Sequence, residues 1–110
     1  MGRALKRIDI LRHELKALRY MLDNFHLGKL KGDDLPARED FQSEQTRELY
    51  DLIINAADRN SAEKQIGELE LDEVDLASFL RLSGEHYYSY PALVKERAAE
   101  IRSGKIVIEA

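Results

Sequence analysis

The sequence predicts an all-α fold: a small helical bundle built on a long N-terminal antiparallel helical hairpin, with a short strand at the C-terminus. Two observations carry this. Ala4, Ile8, Leu11, Leu15, Leu18, Leu22 and Phe25 recur at alternating spacings of four and three, a heptad seam sustained for about three repeats. Three later segments also place apolar residues at helical spacing between Gly, Pro and Asp boundaries. The 110 residues read as one helical domain, 1–110. Apolar runs reach only three residues (Leu52-Ile53-Ile54, Ile106-Val107-Ile108), far below the ~20 a membrane helix needs.

The first helix is expected from about Arg3 to His26, with Gly28 as the residue past its end. The repeat is long enough for a coiled-coil pair, but Ile10, Ala17 and Met21 widen its seam, and a seam this wide suits packing within a bundle. Lys31 to Pro36 reads as a turn, with Pro36 opening a second helix that runs to about Asp58. Its first half, Gln42 to Glu48, is polar and is expected to project from the core. Residues 61–71 read either as a short helix from Ser61 or, at Glu68-Leu69-Glu70-Leu71, as a strand of period two. Asp72 then resembles an N-cap for a helix from Glu73 to Ser83. Its apolar residues, Val74, Leu76, Ala77, Phe79, Leu80 and Leu82, surround the axis, so it is expected to be the most buried helix. Pro91 opens a fourth helix to Ser103, and Gly104 closes it. Lys105 to Glu109 reads as a strand whose expected partner is Leu69 to Leu71.

Composition narrows the chemistry. The chain has no cysteine, which removes disulfides, thiolate metal sites and thiol catalysis. His13, His26 and His86 are far apart in sequence and form no His-x-x-x-His pair, so no metal and no cofactor is expected. The run Glu68, Glu70, Asp72, Glu73, Asp75 lacks the spacing of a calcium loop. Phosphate-binding glycine patterns and a Gly-x-Ser-x-Gly elbow are absent. Met1 to Ala4 leads into a charged amphipathic segment with no apolar leader core, and the expected location is cytoplasmic.

The net charge of −4 hides a division. Residues 1–31 hold eight Lys or Arg against three acids, whereas residues 32–110 hold nine against eighteen. Such a split favours association with a charged partner, within or between chains. The leading expectation is a non-enzyme: a helical protein–protein interaction module acting as a regulator, an adaptor, or an antitoxin- or immunity-like inhibitor. Its expected partner-binding residues are Glu68, Glu70, Asp72 and Glu73 on the acidic body and Tyr87, Tyr88 and Tyr90 in a turn. Tyrosine suits an interface because it offers area at low entropic cost. Seam left uncovered near Ala4 to Leu11, or near Leu18 to Phe25, would call for a homodimer or another protein partner.

One segment supports an enzymatic alternative. Arg81-Leu-Ser-Gly-Glu-His86-Tyr87-Tyr88, an Arg-x4-His followed by x-Tyr, resembles the motif of HEPN-type domains over eight residues. The resemblance implies an all-helical, dimeric, metal-independent ribonuclease or an RNA-binding homodimer. It implies Arg81 as a clamp on the scissile phosphate, His86 as acid and base, and Tyr88 as a supporting hydroxyl. Arg12, Lys16 and Arg19 on the basic first helix would then contact nucleic acid.

Overall fold

The structure, a computed structural model, describes residues 2–30, 32–82 and 86–109. In chain order it has β1 (Arg3–Lys6), α1 (Arg7–Asn24), α2 (Glu44–Asn55), α3 (Arg59–Gly67), α4 (Leu76–Arg81), α5 (Tyr90–Arg102) and β2 (Ile106–Glu109). Short 3-10 turns at Phe25–Leu27, Gly32–Asp34 and Arg38–Asp40 lie between α1 and α2. The chain is thus mostly helical, with a small parallel sheet added. Among the described residues no helix is long and apolar enough to cross a membrane.

α1 is the hub. Ile10, Leu11, Ala17, Leu18, Met21 and Leu22 are buried on it, and α2, α3, α4 and α5 all pack against it. The expected helix from Arg3 starts four residues late, because Arg3–Lys6 pairs in parallel with β2. The strand at the C-terminus forms as expected, but its partner is β1 and not Leu69 to Leu71. Pairing there buries Ile106 against the bundle. The approach is close enough to require Gly2, where a Cβ would stand 2.5 Å from the Gly104 carbonyl oxygen. Gly104 itself adopts φ 83° and closes α5, with Lys105 N–H donating to Glu100 O at 2.8 Å and Gly104 N–H to Ile101 O at 3.2 Å. That is a Schellman motif, which glycine makes without strain.

The expected antiparallel pairing of the first two helices does not occur. Arg7 donates to Gln42 O at 3.3 Å, Thr46 Oγ1 donates to Glu14 at 2.8 Å, and His26 Nε2 donates to Ile53 O at 2.9 Å. Contacts that advance together along both helices mean that α2 runs in the same sense as α1. Residues 32–43 first run back beside α5, where Asp33 O accepts from Lys95 at 2.9 Å and Asp40 from Arg102 at 3.1 Å, and only then does α2 begin. α5 is the antiparallel neighbour of α1. It starts with Tyr90 beside Lys16 and ends, through Gly104, at the sheet that precedes α1.

The second helix is shorter than its expected span from Pro36 to Asp58. Asp40 accepts from Ala37 N–H at 2.9 Å and from Arg102 at 3.1 Å, which holds a 3-10 turn there. Phe41 then takes an extended backbone and enters the core. Ser43 restarts the helix by accepting from Gln45 N–H at 3.1 Å. Ser43 is buried and its hydroxyl also bonds Glu73, so Ser43→Ala is expected to cost about 1–2 kcal/mol, read from urea unfolding. An unchanged midpoint would refute the cap. Residues 59–67 resolve as helix α3, capped by Asp58, which accepts from Ser61 N–H at 2.7 Å.

The expected central helix is the other correction. α4 is six residues long, and of them only Phe79 is fully buried, while Ala77 is exposed. Residues Glu68–Asp75 run as an irregular segment that brings Val74 into the core, so the apolar residues of this region are shared between loop and helix. The expected end of this helix at Ser83 and Gly84 lies outside the described residues.

Candidate functional site

The acidic segment is built onto the first turn of α2. Gln45 Oε1 accepts from the N–H groups of Glu73 and Val74, at 2.8 and 3.1 Å, and its amide bonds Asp72. Glu73 accepts from Arg7 at 2.7 Å and from Ser43 Oγ, and these bonds hold its carboxyl below the usual carboxylate range. Two of the four expected acidic contacts, Asp72 and Glu73, are therefore engaged inside the molecule. Glu68 and Glu70 are exposed, with no ion pair among the described residues. Beside Glu70 the chain forms a shallow groove of about 590 Å³, floored by half-buried Leu69, Leu71 and Leu76 and edged by Glu70, Asp72 and Gln45. Asp75 caps α4 by accepting from Ser78 N–H at 3.1 Å and Ser78 Oγ at 2.6 Å, and those bonds lower its carboxyl's pKa.

The tyrosine turn divides between core and surface. Tyr87 and Tyr90 meet edge to face at 5.4 Å, and the Lys16 ammonium lies 5.7 and 5.5 Å from their rings. A lysine over two ring faces is attracted by their quadrupoles. Tyr90 also packs on His13 at 5.7 Å. Arg97 donates to His13 Nδ1, so the neutral ring carries its proton on Nε2. Burial, then Arg97 and Lys16, lower the pKa of His13. Tyr88 is 74% exposed. It borders a cleft of about 510 Å³ with Tyr20, Asp23, Asn24, Lys29 and Arg59.

The basic residues of α1 do not form one open stripe. Arg12 is exposed, 3.8 Å from Asp9, while Lys16 is covered by tyrosines. Arg19 is largely buried with its Nε 3.4 Å from Asp23, a carboxylate that also accepts from Arg59 at 2.9 and 3.0 Å. Arg81 is exposed and donates to the Ala77 carbonyl at 3.2 Å, and His86 is exposed. Ser83, Gly84 and Glu85, which join them, lie outside the described residues. Among the described residues no hydrogen bond links Arg81, His86 and Tyr88.

One polar centre escaped the sequence reading. Glu14 is 2% exposed, and its carboxylate accepts from Gln42 N–H at 3.0 and 3.1 Å and from Thr46 Oγ1 at 2.8 Å. Burial pushes its pKa up to about 7, against the bonds from Thr46 and Gln42 and the field of Arg7 and Arg47. The signal was present in spacing: Glu14 lies on the same stripe as Ile10, Ala17 and Met21. Among the described residues no three His, Asp or Glu side chains converge as metal ligands would. No protein-family model matches this chain, and neither does any curated protein or any solved structure.

Proposed function

We propose that the protein is a helical protein–protein interaction module that binds a basic partner along the segment between α3 and α4. The observation that supports this is the apolar floor of Leu69, Leu71 and Leu76 edged by exposed Glu70, with exposed Glu68 two residues before it and neither carboxylate in an ion pair among the described residues. Apolar contact supplies affinity, and the carboxylates steer and orient a cationic partner. Arg7, Ser43 and Gln45 hold the loop in place through Glu73, Val74 and Asp72, so little ordering entropy is lost when a partner docks. Exposed Tyr88 adds a second contact. A regulator, adaptor or immunity-like inhibitor of a nucleic-acid-processing protein would act in this way, because such proteins present basic surfaces.

The test is quantitative capture from the native cell with the full chain as bait. Glu68→Lys combined with Glu70→Lys is expected to reduce the recovered partner at least about tenfold without lowering Tm, since both side chains are exposed. Raising the salt should weaken capture by the parent chain. Equal recovery by parent and variant would overturn the proposal.

A further inference from the structure

The apolar seam of α1 is not covered evenly. Leu18 and Leu22 are fully buried, whereas Ile8 is 55% exposed and Leu15 half-buried. At this end a cavity of about 320 Å³ lies between α1, the loop at Glu73–Asp75 and Ser78 of α4. That is the size of a small binding pocket. Its apolar lining is aliphatic: Ile8, Leu11 and Leu15 from α1 and Val74 from the loop. Leu11 and Val74 are buried and form the floor, while Ile8, Arg12, Asp75 and Ser78 are exposed and form the mouth. The cavity therefore opens to solvent.

The charges around the mouth do not cancel. Glu73 is paired with Arg7 at 2.7 Å, and Arg12 lies 3.8 Å from Asp9. Asp75 accepts from the N–H and the hydroxyl of Ser78, which are neutral donors. Among the described residues no cation lies within ion-pair distance of Asp75. One uncompensated carboxylate thus stands beside an aliphatic cavity. This pairing suits an aliphatic group carried next to a cation. Burial of the apolar group supplies affinity, and the carboxylate favours a cationic neighbour over an anionic one. A basic protein offers both wherever Leu or Ile adjoins Lys or Arg, and a side chain seated in a pocket is where interfaces concentrate their binding energy.

We infer that this cavity takes one aliphatic side chain of the basic partner, with an adjoining Lys or Arg of that partner against Asp75. The inference rests on the reading of the protein as an interaction module for a basic partner, and it names what the partner presents. The loop supports the link. Asp72 edges the acidic groove, and the next three residues, Glu73 to Asp75, edge the cavity, so a partner that straddles this loop meets both.

The test is a titration of the isotope-labelled full chain with acetyl-Lys-Leu-Lys-amide, followed by nuclear magnetic resonance. Saturable shifts are expected at the N–H groups of Leu11, Arg12, Val74 and Ser78, with a Kd of about 1–10 mM, as suits a single anchor. Acetyl-Lys-Ala-Lys-amide should bind about tenfold or more weakly, because it buries less apolar surface. Asp75→Asn keeps a residue able to cap α4 and drops the charge, and should weaken the leucine peptide about twofold to fivefold. Leu15→Phe adds volume inside the cavity and should weaken that peptide about tenfold or more. The exposed position of Asp75 keeps the test decisive if Leu15→Phe does not fold. Absence of saturation by about 30 mM peptide, equal binding of the leucine and alanine peptides, or binding unchanged in Asp75→Asn would each overturn the inference. Concentration-dependent shifts of the same amides in the chain alone would give the cavity to a second copy and would also overturn it. Each of these failures leaves the capture experiment on Glu68 and Glu70 to decide the wider reading by itself.

Discussion

Phe41→Ala is expected to lower the free energy of unfolding by about 3–5 kcal/mol, the usual cost of deleting a fully buried aromatic ring. Phe41 has no exposed surface, meets Tyr50 at a ring separation of 5.3 Å, and belongs to the same core as Leu18, Leu22, Leu49 and Ile53. It also sits between the 3-10 turn held by Asp40 and the cap supplied by Ser43, so the cavity cannot be filled by sliding a helix over it. For a domain whose total stability is about 5–15 kcal/mol, this is a large fraction. Urea unfolding of the variant, with Tyr88→Ala as an exposed comparison expected to change stability by less than about 1 kcal/mol, checks it. A loss below about 1 kcal/mol for Phe41→Ala would contradict the packing.

The second large effect is a dependence on pH carried by Glu14. In the unfolded chain this carboxyl ionises near its ordinary 4.5, whereas in the folded protein burial holds it to about 7. Between those values the folded state keeps a proton that the unfolded state has lost. Raising the pH therefore favours unfolding. The stabilising contribution is fully present below about pH 4.5 and is lost as the pH rises through about 7. At about 1.4 kcal/mol per pH unit the swing is about 3 kcal/mol. His13 works in the opposite direction. Its pKa is lowered, so its contribution grows as the pH rises toward its ordinary value. The difference between the parent and Glu14→Gln isolates the carboxyl, because both chains contain His13. Glu14→Gln is expected to match the parent within about 1 kcal/mol at pH 5 and to exceed it by about 2–3 kcal/mol at pH 8. Parallel stability curves across that range would refute the assignment.

Local chemistry made several features readable. Gly28 and Gly104 both take positive φ where a helical turn must stop, and α5 begins and ends within a residue or two of the positions its Pro91 and Gly104 imply. The apolar spacing of Leu11, Leu18 and Leu22 announced the buried face of α1. At the candidate site, the exposed carboxylates Glu68 and Glu70 and the exposed ring of Tyr88 were legible because a run of acids and a tyrosine-rich turn are local patterns. The internal use of Asp72, Glu73 and Arg19 was not. The partners of Asp72 and Glu73, which are Gln45, Arg7 and Ser43, lie 27 to 66 positions away, and Arg59, which joins Arg19 on Asp23, lies 36 positions from that carboxylate. Of this pairing only Arg19 with Asp23, four apart on α1, leaves a trace in charge patterning.

The same division runs through the fold. Helical periodicity and stop residues act over three or four positions, and they made the mostly helical character and the ends of α5 readable from residue order alone. Three features were decided by tertiary structure. These are the extended state of Arg3–Lys6, the matching direction of α1 and α2, and the shrinking of the third expected helix to Leu76–Arg81. In each case the deciding interaction joins distant residues. Ile106 gains burial only if residues 3–6 give up helix for strand. Glu14 finds its donors only if the start of α2 lies beside the middle of α1. Val74 reaches the core only as loop. Seam periodicity is the same for a helix covered from either direction, so only the long-range bonds could choose between them.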